Sequence, residues 1–402
     1  MQKKYTPKFL KTEEPSRPMS RKPAPQKQEQ PRQETAGKQA SSSPLVWLLS
    51  LVLTVALLGM FALGQGLQGG TAADSPRLGL MEKFDMFITN RISDALSGFV
   101  TIEKVYWLSD EDVVAPEPDP ACFGEATDPA ELGWLIEKAA RLLDGQELIF
   151  GTDTKIVEGT KIKYYLDDTI LAITWRETDG RTAFTCSEVK IAHPSQFRRF
   201  LSGGDYGTRL LYTTTEMAAS VNAVTTSSGD YYSYRSFGNT VYNGVVKRSG
   251  DRLLDTCYID ENGDLLFVYK AEIQTLEQVE QYVKDHNIRF SLAFGPILID
   301  DGKMVAKNNY SIGEAGDMYS RAALCQQGPL HYMMVAANYK GTDMVGFGNY
   351  LASRGVQKAY ALDGGQTATI VTGDELMNEV DYGGERDISD IIYFATAIPD
   401  GG

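Results

Sequence analysis

One stretch constrains this chain more than any other: nineteen uncharged residues in a row, from Leu45 to Leu63 (LVWLLSLVLTVALLGMFAL). As a helix rising ~1.5 Å per residue the run would be about 28 Å long, one bilayer hydrocarbon core. A secretory signal would have a shorter apolar stretch behind a shorter basic lead. The end of the run offers no small-residue cleavage site beyond Ala62-Leu63-Gly64. A buried core helix is the other reading, but polar, low-complexity sequence adjoins both ends. The expectation is one transmembrane helix over 44–66, anchoring the chain in the cell membrane. Residues 1–43 hold ten Lys/Arg against four Asp/Glu and lack an apolar cluster, which predicts a disordered basic tail. The positive-inside rule then places that tail in the cytoplasm and residues 67–402 outside it, as a single-pass protein.

Charge changes sign at the same point. Beyond the apolar run, 29 Lys/Arg face 49 Asp/Glu, a net charge of −20 within a total of −14. An acidic exterior argues against nucleic acid as a partner. The basic tail suits topology and contact with anionic lipid better than DNA. The cysteines, Cys122, Cys186, Cys257 and Cys325, form no CxxC pair, and the histidines number three (His193, His286, His331). That composition disfavours a structural zinc site, and the sequence implies no cofactor. Calcium stays open because carboxylates are plentiful, although no DxDxDG-type loop is present. An oxidising exterior allows a disulfide or two without requiring any.

Outside the membrane two zones are expected, a linker with stalk helices over 67–145 and a folded domain over 146–402. Apolar residues at Leu80, Phe84, Phe87, Ile88, Ile92, Ala95 and Leu96 form a helical stripe, suited to a stalk, a partner helix or a helix packed on the domain. Residues 109–130 are acidic and proline-rich and read as linker. A cap-like Asp128-Pro129-Ala130-Glu131 then opens a helix over 128–144. Strand patterns follow at 162–166, 170–175, 183–191, 230–233, 240–246, 265–269, 290–299, 331–336, 358–362, 368–371 and 391–394. Helices are expected at 194–201, 214–221, 276–285 and 346–354. Strands outnumber helices and do not alternate strictly with them. This predicts an α+β domain, a mixed β-sheet with flanking helices, rather than a doubly wound fold.

Within this domain Leu362-Asp363-Gly364-Gly365 places a carboxylate and two glycines at a strand mouth, where backbone can approach a ligand closely. The plainer alternative is that Asp363 only caps a turn or a helix N-terminus. Five ordered blocks extend the signal. They are Ser228-Gly229-Asp230-Tyr231-Tyr232-Ser233-Tyr234-Arg235; Gly238 through Asn243-Gly244; Phe294-Gly295-Pro296-Ile297-Leu298 with Asp301-Gly302; Arg321-Ala322-Ala323-Leu324-Cys325; and Leu362-Asp363-Gly364-Gly365-Gln366-Thr367. Together they resemble the phosphodiester glycosidase family, to which the enzyme that uncovers mannose 6-phosphate belongs. The sequence departs from the family pattern at several points. Ser228 stands for Asn, Ala322 for Thr, Gln366 for a third Gly and Thr367 for Ser, and Asn338-Tyr339-Lys340 stands for Asp-Gly-Arg. Gln366 projects a side chain where bare backbone could meet a substrate.

The resemblance implies hydrolysis of a sugar-1-phosphodiester at the sugar side, leaving a phosphate monoester. Such chemistry needs cationic donors for the phosphate and a carboxylate beside an oxocarbenium-like transition state. The matching catalytic carboxylates are Asp230 and Asp363, with their two roles interchangeable at this stage. Arg235 and Arg321 match the phosphate-binding cations, and Gly364, Gly365, Thr367 and Tyr231 match substrate contacts. Tyr231 and Tyr232 should alternate across a strand, one in the core and one free to stack on a sugar. Asn243-Gly244 reads as a hairpin turn. His331 should face the core or a strand neighbour, with catalysis the lesser alternative. Three functions fit: a membrane-anchored extracytoplasmic hydrolase of envelope or surface glycan phosphodiesters, an inactive glycan-binding relative, and a tethered assembly protein.

Overall fold

The computed structural model describes residues 108, 114–250, 254–273, 275–311 and 314–398. The basic tail, the run from Leu45 to Leu63 and the helical stripe over 80–99 lie outside the described residues. Among the described residues no helix is long and apolar enough to cross a membrane. All of them belong to one compact unit, Asp94–Gly402.

A nine-stranded sheet runs through this unit. Its order is Phe123–Ala126, Ile162–Leu166, Ile170–Asp179, Thr182–Ile191, His331–Thr342, Tyr319–Gly328, Lys358–Leu362, Ile297–Asp300, Lys303–Met304. A five-stranded sheet orders Glu375–Leu376, Ile370–Thr372, Thr225–Ser228, Asp390–Phe394 and Phe197–Leu201. The α+β class holds. The described strand pairs run antiparallel, so the sheets are not mixed in direction. Neighbouring strands such as Ile170–Asp179 and Thr182–Ile191 are joined by short turns, which reverse the chain without a crossover helix.

The long sheet is buried on both faces, and strand periodicity shows it. Met333, Val335 and Ala337 pack with Leu132, Leu135 and Phe347 from the helical side. Tyr332, Met334 and Ala336 pack with Phe197, Ile370, Ile392 and Phe394 from the five-stranded sheet. Alternate residues of one strand thus serve two cores.

The expected helix over 128–144 forms in pieces. Pro129–Leu132 is a 3-10 turn with a capping box between Asp128 and Glu131, followed by helices Gly133–Lys138 and Ala140–Leu143. Leu276–Asp285 is helical as expected; Thr214–Ser220 and Met344–Ser353 match within two residues. Asn243 and Gly244 both have positive φ, as a two-residue hairpin requires.

Four expectations need correction. Residues 290–299 are not one strand, because Phe290–Leu292 and Ile297–Asp300 belong to different sheets. Residues 194–201 are not a helix. Pro194–Gln196 is one 3-10 turn, and Phe197–Leu201 is a fully buried strand paired with Asp390–Phe394. Residues 230–233 are not a strand, because Tyr231 adopts φ +66° and opens a 3-10 turn, Tyr232–Tyr234. The folded unit also begins before residue 146. Phe123–Ala126, inside the expected linker, pairs with Ile162–Leu166 as an edge strand. Its acidic, proline-rich surroundings hide a four-residue signal.

Candidate active site

The chain crosses from one sheet to the other at Asp363. Leu362 is the last residue of its strand and pairs with Ala322. The Asp363 N–H then donates to the Gly229 carbonyl (3.1 Å), just past the end of Thr225–Ser228. The Ser228 hydroxyl returns a bond to the Asp363 carbonyl (3.3 Å). A single 3-10 turn, Gly365–Thr367, leads into Ile370–Thr372 of the five-stranded sheet. The two glycines line the cavity described below and are also required by the protein's own chain. A Cβ on Gly364 would lie 2.5 Å from the Ser320 carbonyl oxygen. Gly365 has φ +63°, with the Tyr319 ring 3.2 Å from where its Cβ would be.

A cavity of about 680 Å³ opens beside this crossing. Asp363 and Arg386 line it, with Arg386 Nη2 3.2 Å from Asp363 Oδ2. Burial pushes the Asp363 carboxyl up to about 6; the Arg386 and Arg235 cations and a hydrogen bond from Thr367 oppose that rise. Tyr231 and Tyr234 stack with ring centroids 4.3 Å apart and planes 8° from parallel. The Arg386 guanidinium carbon lies 5.4 Å and 5.5 Å from those two rings.

Arg235 also lines the cavity. Its Nη2 donates to the carbonyls of Asp230 and Ala293. Its Nε and Nη1 are buried and have no hydrogen-bond partner in the protein. A part-buried guanidinium with donors unspent beside a cavity is suited to an anion. Arg321 lines the same cavity but uses its donors structurally. Nε bonds the Thr342 carbonyl (3.0 Å), and Nη2 bonds the carbonyls of Glu314 (2.9 Å) and Asp317 (2.8 Å). Thr367 is buried beneath the turn, where its hydroxyl donates to the Gly364 carbonyl (2.8 Å).

Asp230 lies behind the cavity wall, fully buried. Its Oδ1 accepts from Arg199 Nη2 (2.8 Å) and its Oδ2 from the Ala293 N–H (2.8 Å). Arg199 Nε also bonds Asp390 Oδ2 (2.9 Å), and Asp390 in turn accepts the Asp230 N–H. Burial raises the Asp390 carboxyl while Arg199 pulls it down. The packing here is close enough that a Cβ on Gly229 would fall 1.9 Å from Asp390 Oδ2.

Of the four charged residues expected to converge, Asp363, Arg235 and Arg321 do line one cavity, and Asp230 stands behind it. Sequence reasoning missed Arg386 and Arg199. Arg386 sits in Gly383-Gly384-Glu385-Arg386-Asp387, a charged loop with no motif. Arg199 was hidden in the segment read as a helix; correct strand pairing would have exposed a buried arginine between carboxylates. Gln366 does not plug the cavity. Its amide donates to the Gly384 carbonyl (2.8 Å) at the rim. His331 is buried away from the cavity against Glu188 (2.8 Å). Tyr232 is buried and Tyr231 faces the cavity, set apart by the turn rather than by strand alternation. Among the described residues no group of three or more His, Cys, Asp or Glu is placed to hold a metal ion, and the four cysteines are free.

The fold and site together define an antiparallel α+β domain whose two largest sheets meet beside a hollow lined by Arg235, Arg321, Arg386 and the carboxylate of Asp363. Residues 216–395 match the family model for phosphodiester glycosidases. Two of the similar solved structures are the following. The catalytic domain of zebrafish N-acetylglucosamine-1-phosphodiester alpha-N-acetylglucosaminidase is 16% identical, covering 63% of this chain and 92% of that one, with a TM-score of 0.47. A hypothetical protein from Synechocystis is 13% identical, covering 60% of this chain and 64% of that one, with a TM-score of 0.43. No curated protein matches.

Proposed function

We propose that this protein is a hydrolase that cleaves the glycosidic bond of sugar-1-phosphodiesters, working as a membrane-anchored enzyme on envelope or surface glycans outside the cytoplasm. One observation carries the reading. Arg235, which keeps two buried donors unspent, lines the same cavity as the Asp363–Arg386 pair. A phosphodiester supplies the oxygens those donors lack. Asp363 is then the carboxylate for C1 or for the attacking water, and Arg386 holds it in place. Water adds to C1, the bond from C1 to the bridging oxygen breaks, and that oxygen leaves with the phosphate as a monoester. The phosphate is a good leaving group, so a second carboxylate acting as strong acid is less needed than in ordinary glycosides. Asp230 acts by positioning. Its carbonyl and the carbonyl of Ala293, which its carboxylate fixes, both hold Arg235 Nη2. Arg321, Gly364, Gly365 and Thr367 shape the walls, and Tyr231 offers a ring to the sugar.

The test is phosphate-monoester release by the full chain in detergent, from methyl phosphodiesters of glucose, galactose, mannose and N-acetylglucosamine 1-phosphates. Release that Asp363→Asn abolishes supports the proposal. No release from any of the four between pH 5 and 8 overturns it.

A further inference from the structure

The turn Asp381–Gly383 brings Tyr382 to the same cavity. Its side chain is 90% exposed, and its backbone is left-handed, with φ +60° and ψ +15°. Tyrosine rarely adopts that conformation. Two hydrogen bonds fasten the turn that carries it. Asp381 accepts from the Ser320 hydroxyl (3.0 Å), and Gly384 accepts from the Gln366 amide (2.8 Å). Ser320 precedes Arg321, and Gln366 follows the Asp363-Gly364-Gly365 crossing. The turn is therefore fastened at both ends to segments that build the site. The Tyr382 ring is left in water on the wall of a cavity that also holds the stacked Tyr231–Tyr234 pair, so several aromatic faces open on one space that a ligand could fill.

The surroundings select the ligand. A pyranose ring has faces of C–H groups and an edge of hydroxyls. An aromatic face takes the former, while guanidinium, carboxylate and amide groups take the latter. Tyr382 shares the cavity with Arg386, Asp363 and Gln366 as well as the Tyr231–Tyr234 pair. A lipid chain would want an unbroken apolar lining, which these groups interrupt.

We infer that Tyr382 is the platform of an additional sugar subsite at the cavity, so that the substrate is an oligosaccharide or longer glycan carrying the phosphodiester, not a lone sugar. The reaction rests on the hydrolase reading above; the subsite does not. Gln366, which stands where the family pattern has glycine, becomes a brace for this platform.

The experiment compares three probes on the full chain: a methyl sugar-1-phosphodiester, the same diester extended by two further sugars, and the same diester extended by an octyl chain. The readout is the ratio of kcat/KM for each extended probe to that of the short one. Tyr382→Ala should lower the ratio for the sugar-extended probe about tenfold, chiefly through KM, and Tyr382→Trp should restore it. An unchanged ratio, or a loss confined to the octyl probe, overturns the subsite. Should no probe be hydrolysed, saturation-transfer NMR of the sugar-extended diester decides. Contacts to the outer sugars that vanish in Tyr382→Ala uphold the subsite while the hydrolase reading falls, and contacts indifferent to Tyr382 sink it.

Discussion

Asp363 combines a buried carboxyl, raised to about 6, with a partner cation at 3.2 Å. If the reaction uses its ionised form, kcat/KM should climb as pH rises through about 6 and then level off. A profile flat from pH 5 to 8 would remove Asp363 from the chemistry. The same group has an effect on stability with a defined sign. Its folded pKa lies above its unfolded one, so between the two values the folded state holds a proton that the unfolded state releases. Stability from this group is therefore full below the unfolded value and is lost as pH rises to about 6. Asp363→Asn should thus stabilise the fold by roughly 1–3 kcal/mol at pH 8, with the gain shrinking toward pH 4, as read by urea unfolding. Arg199 presents the opposite case. It is fully buried between Asp230 and Asp390, and Arg199→Met would leave two buried carboxylates uncompensated. A loss of about 3–5 kcal/mol is expected in the same measurement.

At the scale of elements, the crossing from Leu362 to Ile370 organises the site. Gly364→Ala places a methyl 2.5 Å from a backbone oxygen of the neighbouring strand, which no rotamer change can relieve. Loss of about 2 kcal/mol or more and displacement of Asp363 should follow, seen as a lower urea midpoint together with lower turnover. An Ala variant as stable as the parent would show that the crossing is not so tight. This element was legible in the sequence as a carboxylate and two glycines after a strand. The reason for the glycines was not, because the oxygen that excludes a side chain comes from Ser320, over forty positions away. The 197–201 strand was misread for a related reason. Phe-Arg-Arg-Phe-Leu carries no alternation when both faces are buried, and only pairing with Asp390–Phe394 decides its form.

On the scale of the molecule, the proposed anchored topology predicts that protease added outside intact cells will remove residues 67–402 and spare the basic tail. Full protection of the domain would refute that orientation. The thiols offer a second measure. Cys186, Cys257 and Cys325 are buried, and burial pushes all three thiols up, whereas Cys122 is half-buried. A thiol reagent at pH 7.5 should label about one cysteine in the native protein and four after denaturation; rapid labelling of three or four in the native state would contradict this packing.

Local pattern alone determined what local physics controls: a long apolar run, a change of net charge, amphipathic helices with their caps, two-residue hairpins, and a carboxylate-glycine turn at a strand end. Each depends on neighbours within a few positions, where spacing and side-chain type carry the signal. The tertiary structure decided which charges meet. Arg386 reaches Asp363 from a loop without pattern, Arg199 draws Asp230 away from the cavity, and Arg321 spends its donors on backbone carbonyls. Those choices turn on desolvation and on distances between segments remote in sequence, and residue order records neither.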